Sequence, residues 1–167
     1  MRARKLLALG GAVVALGLVG ACGDDDEPSD EPAADATTES GGAIKVAFLS
    51  DCEGTFGSFF EPTIAGFNLG LIKNAGGTAG GEKPSDGVTG AKVAGKDIEI
   101  VGYGCGDETA DKAIEETRRL MEQEDADVLI GPLSGDEGIA VANYAKEHPD
   151  KTFVNGIAGA QDSTLKV

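Results

Sequence analysis

The residues of this 167-residue chain that could do chemistry are few: two cysteines in the globular region, Cys52 and Cys105, one imidazole, His148, and two glycine-rich stretches. A thiol–imidazole nucleophile pair needs the imidazole within hydrogen-bond reach of a thiol and a third group to orient it. His148 precedes Pro149 in a polar stretch, where a solvated loop residue is the plainer reading. One histidine and two cysteines complete a zinc site only with carboxylates, and none can be placed by spacing. Gly90-Ala91-Lys92-Val93-Ala94-Gly95-Lys96-Asp97 fits the start of a phosphate loop, G-x-x-x-x-G-K. However, Asp97 stands where a hydroxyl must hold magnesium, and the segment precedes a strand where a phosphate loop must follow one, so a turn at Gly95 is expected. Gly102-Tyr103-Gly104-Cys105-Gly106 reads as a glycine-rich strand-to-helix turn, but it lacks dinucleotide-loop spacing, and Asp107 and Glu108 would repel a pyrophosphate. No catalytic residue, metal ligand or cofactor is assigned, which points to binding rather than catalysis.

The elements that must position these residues alternate in type. Ile44 to Ser50 is a near-continuous apolar run of the buried parallel-strand kind. Phe59 to Ala75 reads as a helix with Ile64, Phe67, Leu71 and Ile72 along one side, Pro62 near its start and Gly76-Gly77 as its stop. Gly77 to Gly90 reads as a polar surface loop. A second strand spans Ile98 to Val101 within Lys96–Tyr103. Asp107 or Thr109 then caps a helix running to about Gln123, whose apolar stripe is Ala110, Ala113, Ile114, Thr117, Leu120 and Met121. Asp127 to Gly131 is a third strand, Asp136 caps a third helix through Lys146, and Thr152 to Asn155 is a fourth strand. Strands with intervening helices imply an α/β, doubly wound parallel sheet, with function at the carboxyl ends of its strands. The first and second strands should be neighbours, so a disulfide between Cys52 and Cys105 at those ends is geometrically natural in an oxidising compartment.

Composition narrows the class. With 41% hydrophobic and 26% charged residues, the chain has the balance of one globular α/β domain. A formal net charge of -15 and no basic stripe exclude nucleic acid as a partner. Arg2, Arg4 and Lys5 followed by the short apolar run Leu6–Leu18 have the build of an export signal, too short for a membrane span. Val19-Gly20-Ala21-Cys22 resembles the lipobox of bacterial lipoproteins. That resemblance implies a signal peptide over residues 1–21, cleavage before Cys22, and acylation of its thiol as a membrane anchor. Residues 22–43 then form a disordered acidic linker. Asp24, Asp25, Asp26, Glu27, Asp30, Glu31, Asp35 and Glu39 stand there without a basic residue or a large apolar side chain.

The segments Ile44–Ser50, Gly54-Thr55-Phe56, Gly66, Asn74-Ala75-Gly76-Gly77 and Val93–Ile100 together resemble the opening of type 1 periplasmic binding proteins. The same holds for Ala113 to Leu120, Ile130-Gly131-Pro132-Leu133-Ser134-Gly135 and Phe153 to Gln161. The resemblance is to the branched-chain amino acid (leucine/isoleucine/valine) receptors of ABC transporters. It implies a two-lobe clamp that captures a small solute and hands it to a membrane permease, outside the cytoplasm and without chemistry. Residues 44–167 would then be the N-terminal lobe, with the second lobe expected in a longer gene product. Matched by motif, Ser134-Gly135-Asp136 and Gly159-Ala160-Gln161 are the turns whose backbone amides and hydroxyls hold the solute's carboxylate, and Thr55 and Phe56 add a further contact. Receptors for amino acids offer hydroxyls where this chain has Gly135 and Gln161, and Asp136 and Glu137 add negative charge. A polar or amide-bearing solute is therefore expected. A ligand-sensing receptor of the same fold is the alternative.

Overall fold

The computed structural model describes residues 42–162. The signal segment, Cys22 and the acidic linker lie outside the described residues, as do residues 163–167. Strand β1 (Ile44–Asp51) leads through a single 3-10 turn, Gly57–Phe59, into helix α1 (Phe60–Asn74). A small hairpin follows, β2 (Thr78–Ala79) with β3 (Val88–Thr89), and then a second hairpin, β4 (Lys92–Val93) with β5 (Lys96–Gly106). Helix α2 (Ala110–Arg118) continues as a π turn, Arg119–Gln123, and is succeeded by β6 (Val128–Ile130), α3 (Gly135–Glu147) and β7 (Thr152–Val154). The main sheet has the order β4-β5-β1-β6-β7, parallel except for the short edge strand β4. The chain leaves β1 for β5 on one side and returns across it to β6 on the other. That reversal opens a crevice beyond the carboxyl ends of β1 and β6.

β1 is buried on both faces, as its apolar run requires. Ala47 and Leu49 belong to one core with Ala113, Leu120 and Met121 of the α2 segment, Leu129 of β6, and Val141 and Tyr144 of α3. Phe48 points the opposite way, by strand alternation, and its ring lies 4.1 Å from that of Phe67 on α1. Helices therefore cover both faces of the sheet, and the doubly wound α/β class is the observed one. Full burial of Leu49, Leu120 and Leu129 contributes about 1.5–3 kcal/mol each.

Several expectations need correction in detail. Ile72 is 37% exposed, while Asn68 takes the inward place between Ile64 and Leu71. Its amide donates to the Pro84 carbonyl at 2.7 Å and so ties α1 to the segment below. That segment is more than a surface loop: Val88 and Ala91 are buried against Leu71. The second strand does not stop at Tyr103 but continues to Gly106, so its glycines are not a turn. A Cβ on Gly102 would stand 2.8 Å from Leu120 Cδ2, and one on Gly104 would stand 2.8 Å from Leu49 Cδ1. The glycines let α2 lie close on the sheet. The phosphate-loop-like stretch forms the β4–β5 hairpin, with Ala94 (φ 50°) and Gly95 (φ 81°) as its two central residues. Thr109 caps α2 by accepting from the Lys112 amide at 3.3 Å. Among the described residues no helix is long and apolar enough to cross a membrane.

Candidate functional site

The site is built from three segments that leave the carboxyl ends of β1, β5 and β6, joined by the loop after β7. Asp51 ends β1 in register with Gly106 at the end of β5. The next residues turn back at once, with the amides of Cys52 and Glu53 donating to the Gly106 carbonyl at 3.1 and 3.3 Å. A disulfide joins Cys52 and Cys105, their Cα atoms 5.1 Å apart, and fastens the two strand ends together. Gly54, at φ +72°, lets the turn double back. Glu108 holds that turn from the β5 side: its carboxylate accepts the amide of Thr55 and, at 3.0 Å, that of Phe56. Thr55 and Phe56, expected to supply a further solute contact, therefore have their backbone amides engaged within the protein. The Phe56 ring remains outward and 40% exposed.

The second segment runs from β6 into α3. Gly131 has φ +125°, and a Cβ there would fall 2.0 Å from the Leu49 carbonyl oxygen, so only glycine lets β6 leave the sheet this close to β1. The Gly131–Pro132 peptide is cis. Ser134 occupies the N-cap of α3, where the sequence reading placed Asp136; Asp136 is the second helical residue and is exposed. Glu137, three residues after the cap, reaches back so that its Oε2 accepts the Ser134 amide at 3.5 Å. This Ser-x-x-Glu spacing was legible as a capping-box signature and was the signal missed. Helix geometry leaves the amides of Gly135, Asp136 and Glu137 without intrahelical acceptors, directed to the crevice end of α3.

The loop after β7 closes over this helix start. A Cβ on Gly138 would lie 2.6 Å from Ala158 Cβ, and one on Gly135 would lie 3.4 Å from Ala160 Cβ. The two turns matched by resemblance are thus neighbours. Phe56, Phe59, Leu133, Ser134, Gly135, Ile157 and Gly159 line one open depression of ≈ 360 Å³. It adjoins a second of ≈ 280 Å³ that shares Leu133 and Ile157 and descends past Pro62, Phe67 and Pro132 to Phe48 and Leu49. Of the expected contacts, Phe56, Ser134, Gly135 and Gly159 come together on this wall. Ala160 backs Gly135, while Thr55, Asp136 and Gln161 are exposed beside the wall and do not line it. Phe59, Leu133 and Ile157 were not singled out by sequence; Ile157 is 75% exposed in a loop with no periodicity to flag it.

Two acids lie behind the wall. Asp51 and Glu137 are fully enclosed, and Glu137 Oε1 accepts the Glu108 amide at 3.2 Å. Burial, together with the Asp51 carboxyl beside it, pushes the Glu137 carboxyl up to about 7. His148 is far from this group in the fold, at the opposite end of α3, where its ring stacks on Tyr144 with centroids 4.0 Å apart. It approaches neither Cys52 nor Cys105. The one cluster of metal-type donors among the described residues is Cys52, Glu53 and Cys105, whose two sulfurs are spent in the disulfide.

Comparison with known proteins places this arrangement. The family model described as "Periplasmic binding protein" matches residues 43–164. A periplasmic binding protein from Burkholderia mallei superposes with a TM-score of 0.53 at 22% identity, over 73% of this chain and 28% of that one. A leucine-binding protein from Thermotoga maritima superposes with a TM-score of 0.51 at 15% identity, over 68% of this chain and 28% of that one. The chain therefore spans less than a third of the length of these structures. No curated protein matches it. The family match covers residues 43–164, and the solved structures are alike in fold: the chain belongs to the periplasmic binding protein family, type 1.

Proposed function

We propose that this lobe forms one wall of the solute cleft of an extracytoplasmic transport receptor, which delivers a small molecule to an ABC transporter permease. The observation that carries the reading is the convergence of Phe56, Phe59, Leu133, Ile157, Ser134, Gly135 and Gly159 on one depression at the switch point of the sheet. Ligands of open α/β sheets bind at that place. The wall also has the composition of a small-molecule site, mostly apolar with a few polar groups converging on it. The solute's polar or anionic head would meet the amides at the start of α3, and its body would lie on Phe56, Phe59, Leu133 and Ile157. The polar or amide-bearing solute expected from sequence is refined in this way to one with a distinct apolar part. Attachment through an acylated Cys22, after removal of residues 1–21, would keep the receptor at the membrane while the acidic linker of residues 22–43 gives it reach.

Calorimetric titration of the full-length protein with amino acids, amides and apolar carboxylates tests the reading. At least one solute is expected to bind saturably, and Phe56→Ala should weaken it by roughly tenfold, the loss of about 1.4 kcal/mol of contact. Affinities untouched by Phe56→Ala and Ile157→Ala would remove the cleft from consideration. Fractionation of cells expressing Cys22→Ser tests the anchor: release of the protein from the membrane fraction supports it.

A further inference from the structure

Asp51 and Glu137 take no part in the solute wall, yet the fold encloses both completely. Asp51 holds the next position of β1 after Ala47 and Leu49 on the same face, so the core column of that strand ends in a carboxyl. Glu137 descends from the first turn of α3 onto the same spot. A methyl on Gly106 would lie 2.3 Å from Glu137 Oε1 and 2.7 Å from Asp51 Oδ1, so the two carboxyls crowd the space that this glycine leaves open.

Their surroundings supply donors to only one of them. Glu137 accepts the amides of Glu108 and Ser134, whereas neither oxygen of Asp51 has a hydrogen-bond partner. A buried carboxylate with neither donor nor cation is costly, and two side by side are costlier still. The groups shown at the pair are Gly106 at the end of β5, Ser134 from α3, and the amide of Glu108, whose own carboxylate is turned to Thr55 and Phe56, while Ser50 and Cys105 point to the opposite face of the sheet. All are acidic or uncharged. None of the ion pairs among the described residues reaches either carboxyl. Calcium or magnesium is a poor occupant, because each needs six or more oxygens and here amide hydrogens already point at Glu137. A proton needs only the two carboxyls.

We propose that Asp51 and Glu137 are a proton-binding pair, in which one shared proton ties the first turn of α3 to the end of β1 and so makes the Ser134–Gly135 side of the cleft sensitive to pH. The proton belongs to the pair rather than to either residue. Its loss leaves two buried negative charges facing each other across the joint between β1 and α3, and the joint loosens. The upward shift at Glu137 agrees with this arrangement. Nothing in the inference requires a solute, so it stands or falls separately from the transport reading.

Infrared difference spectra of the full-length protein between pH 5 and pH 9, with ¹³C-carboxyl labelling of Asp and Glu, test it directly. The expected result is one carboxyl that keeps its proton at pH 6 and releases it near neutrality, absent in Asp51→Asn and in Glu137→Gln. Each variant keeps a hydrogen bond through its amide, and if one does not fold the other decides. No carboxyl titrating above pH 6 in the parent, or a signal surviving in a folded variant, would overturn the pair. Hydrogen exchange of the Gly138 amide, which donates to the Ser134 carbonyl at 3.0 Å, should, corrected for intrinsic rates, rise about tenfold per 1.4 kcal/mol of lost stability across the same range. Exchange that stays flat would overturn the link to the cleft.

Discussion

Single residues at the carboxyl ends of the strands carry more of this structure than their chemistry suggests. With one proton shared between Asp51 and the raised Glu137 carboxyl in the folded protein, folding takes up a proton between about pH 4.5 and 7. Stability should accordingly fall as pH rises through that window, by on the order of 3 kcal/mol, and level off above it. Thermal denaturation from pH 4.5 to 8 should show this slope for the parent and a nearly flat profile for Glu137→Gln. Gly131 permits the close approach of β6 to β1, and Gly131→Ala should cost more than about 3 kcal/mol, because it combines a steric clash with an unfavourable φ. Urea titration would show this as a lowered midpoint or as failure to fold. Neither residue stood out in the sequence. Glu137 read as negative charge beside the expected carboxylate-holding turns, and its burial uses the space left by Gly106, which only the folded register places opposite Asp51. Gly131 was quoted as part of a motif, but its φ could not be read from the string.

At the scale of elements, the strands were legible because apolar runs such as Ile44–Ser50 admit one assignment when buried on both faces. Their ends were less so. β5 runs on to Gly106 because helix α2 presses on it closely enough to require Gly102 and Gly104, a tertiary demand that looks like turn composition in one dimension. The Cys52–Cys105 pairing was readable because strand neighbours follow from the order of strands and helices, and cysteines near neighbouring strand ends lie within reach of each other. The bridge closes a loop with a sequence separation of 53, and in the chain-entropy account that contributes about 4 kcal/mol. Reduction, or Cys52→Ser with Cys105→Ser, should lower the denaturation free energy by up to that amount. Far-UV circular dichroism at 25 °C should change little, because the strands and helices are packed independently of the bridge.

For the lobe as a whole, family and fold were within reach of the sequence because order and spacing survive where individual motifs do not. The wall of the cleft was half legible. Turns matched by motif, at Ser134-Gly135 and at Gly159, did meet. The apolar members Phe59, Leu133 and Ile157 lie in loops where no periodicity marks an inward face, and Glu108 had already claimed the amides of Thr55 and Phe56. Solute binding on this wall is the role proposed for the lobe. With a binding solute in hand, the most direct measurement is hydrogen exchange of the full-length protein with and without it. Protection is expected to concentrate at Phe56, Ser134–Gly135 and Ile157–Gly159. Protection centred instead on the α3–β7 flank, at Val141, Ala145 and Phe153, or absent from these segments altogether, would contradict it.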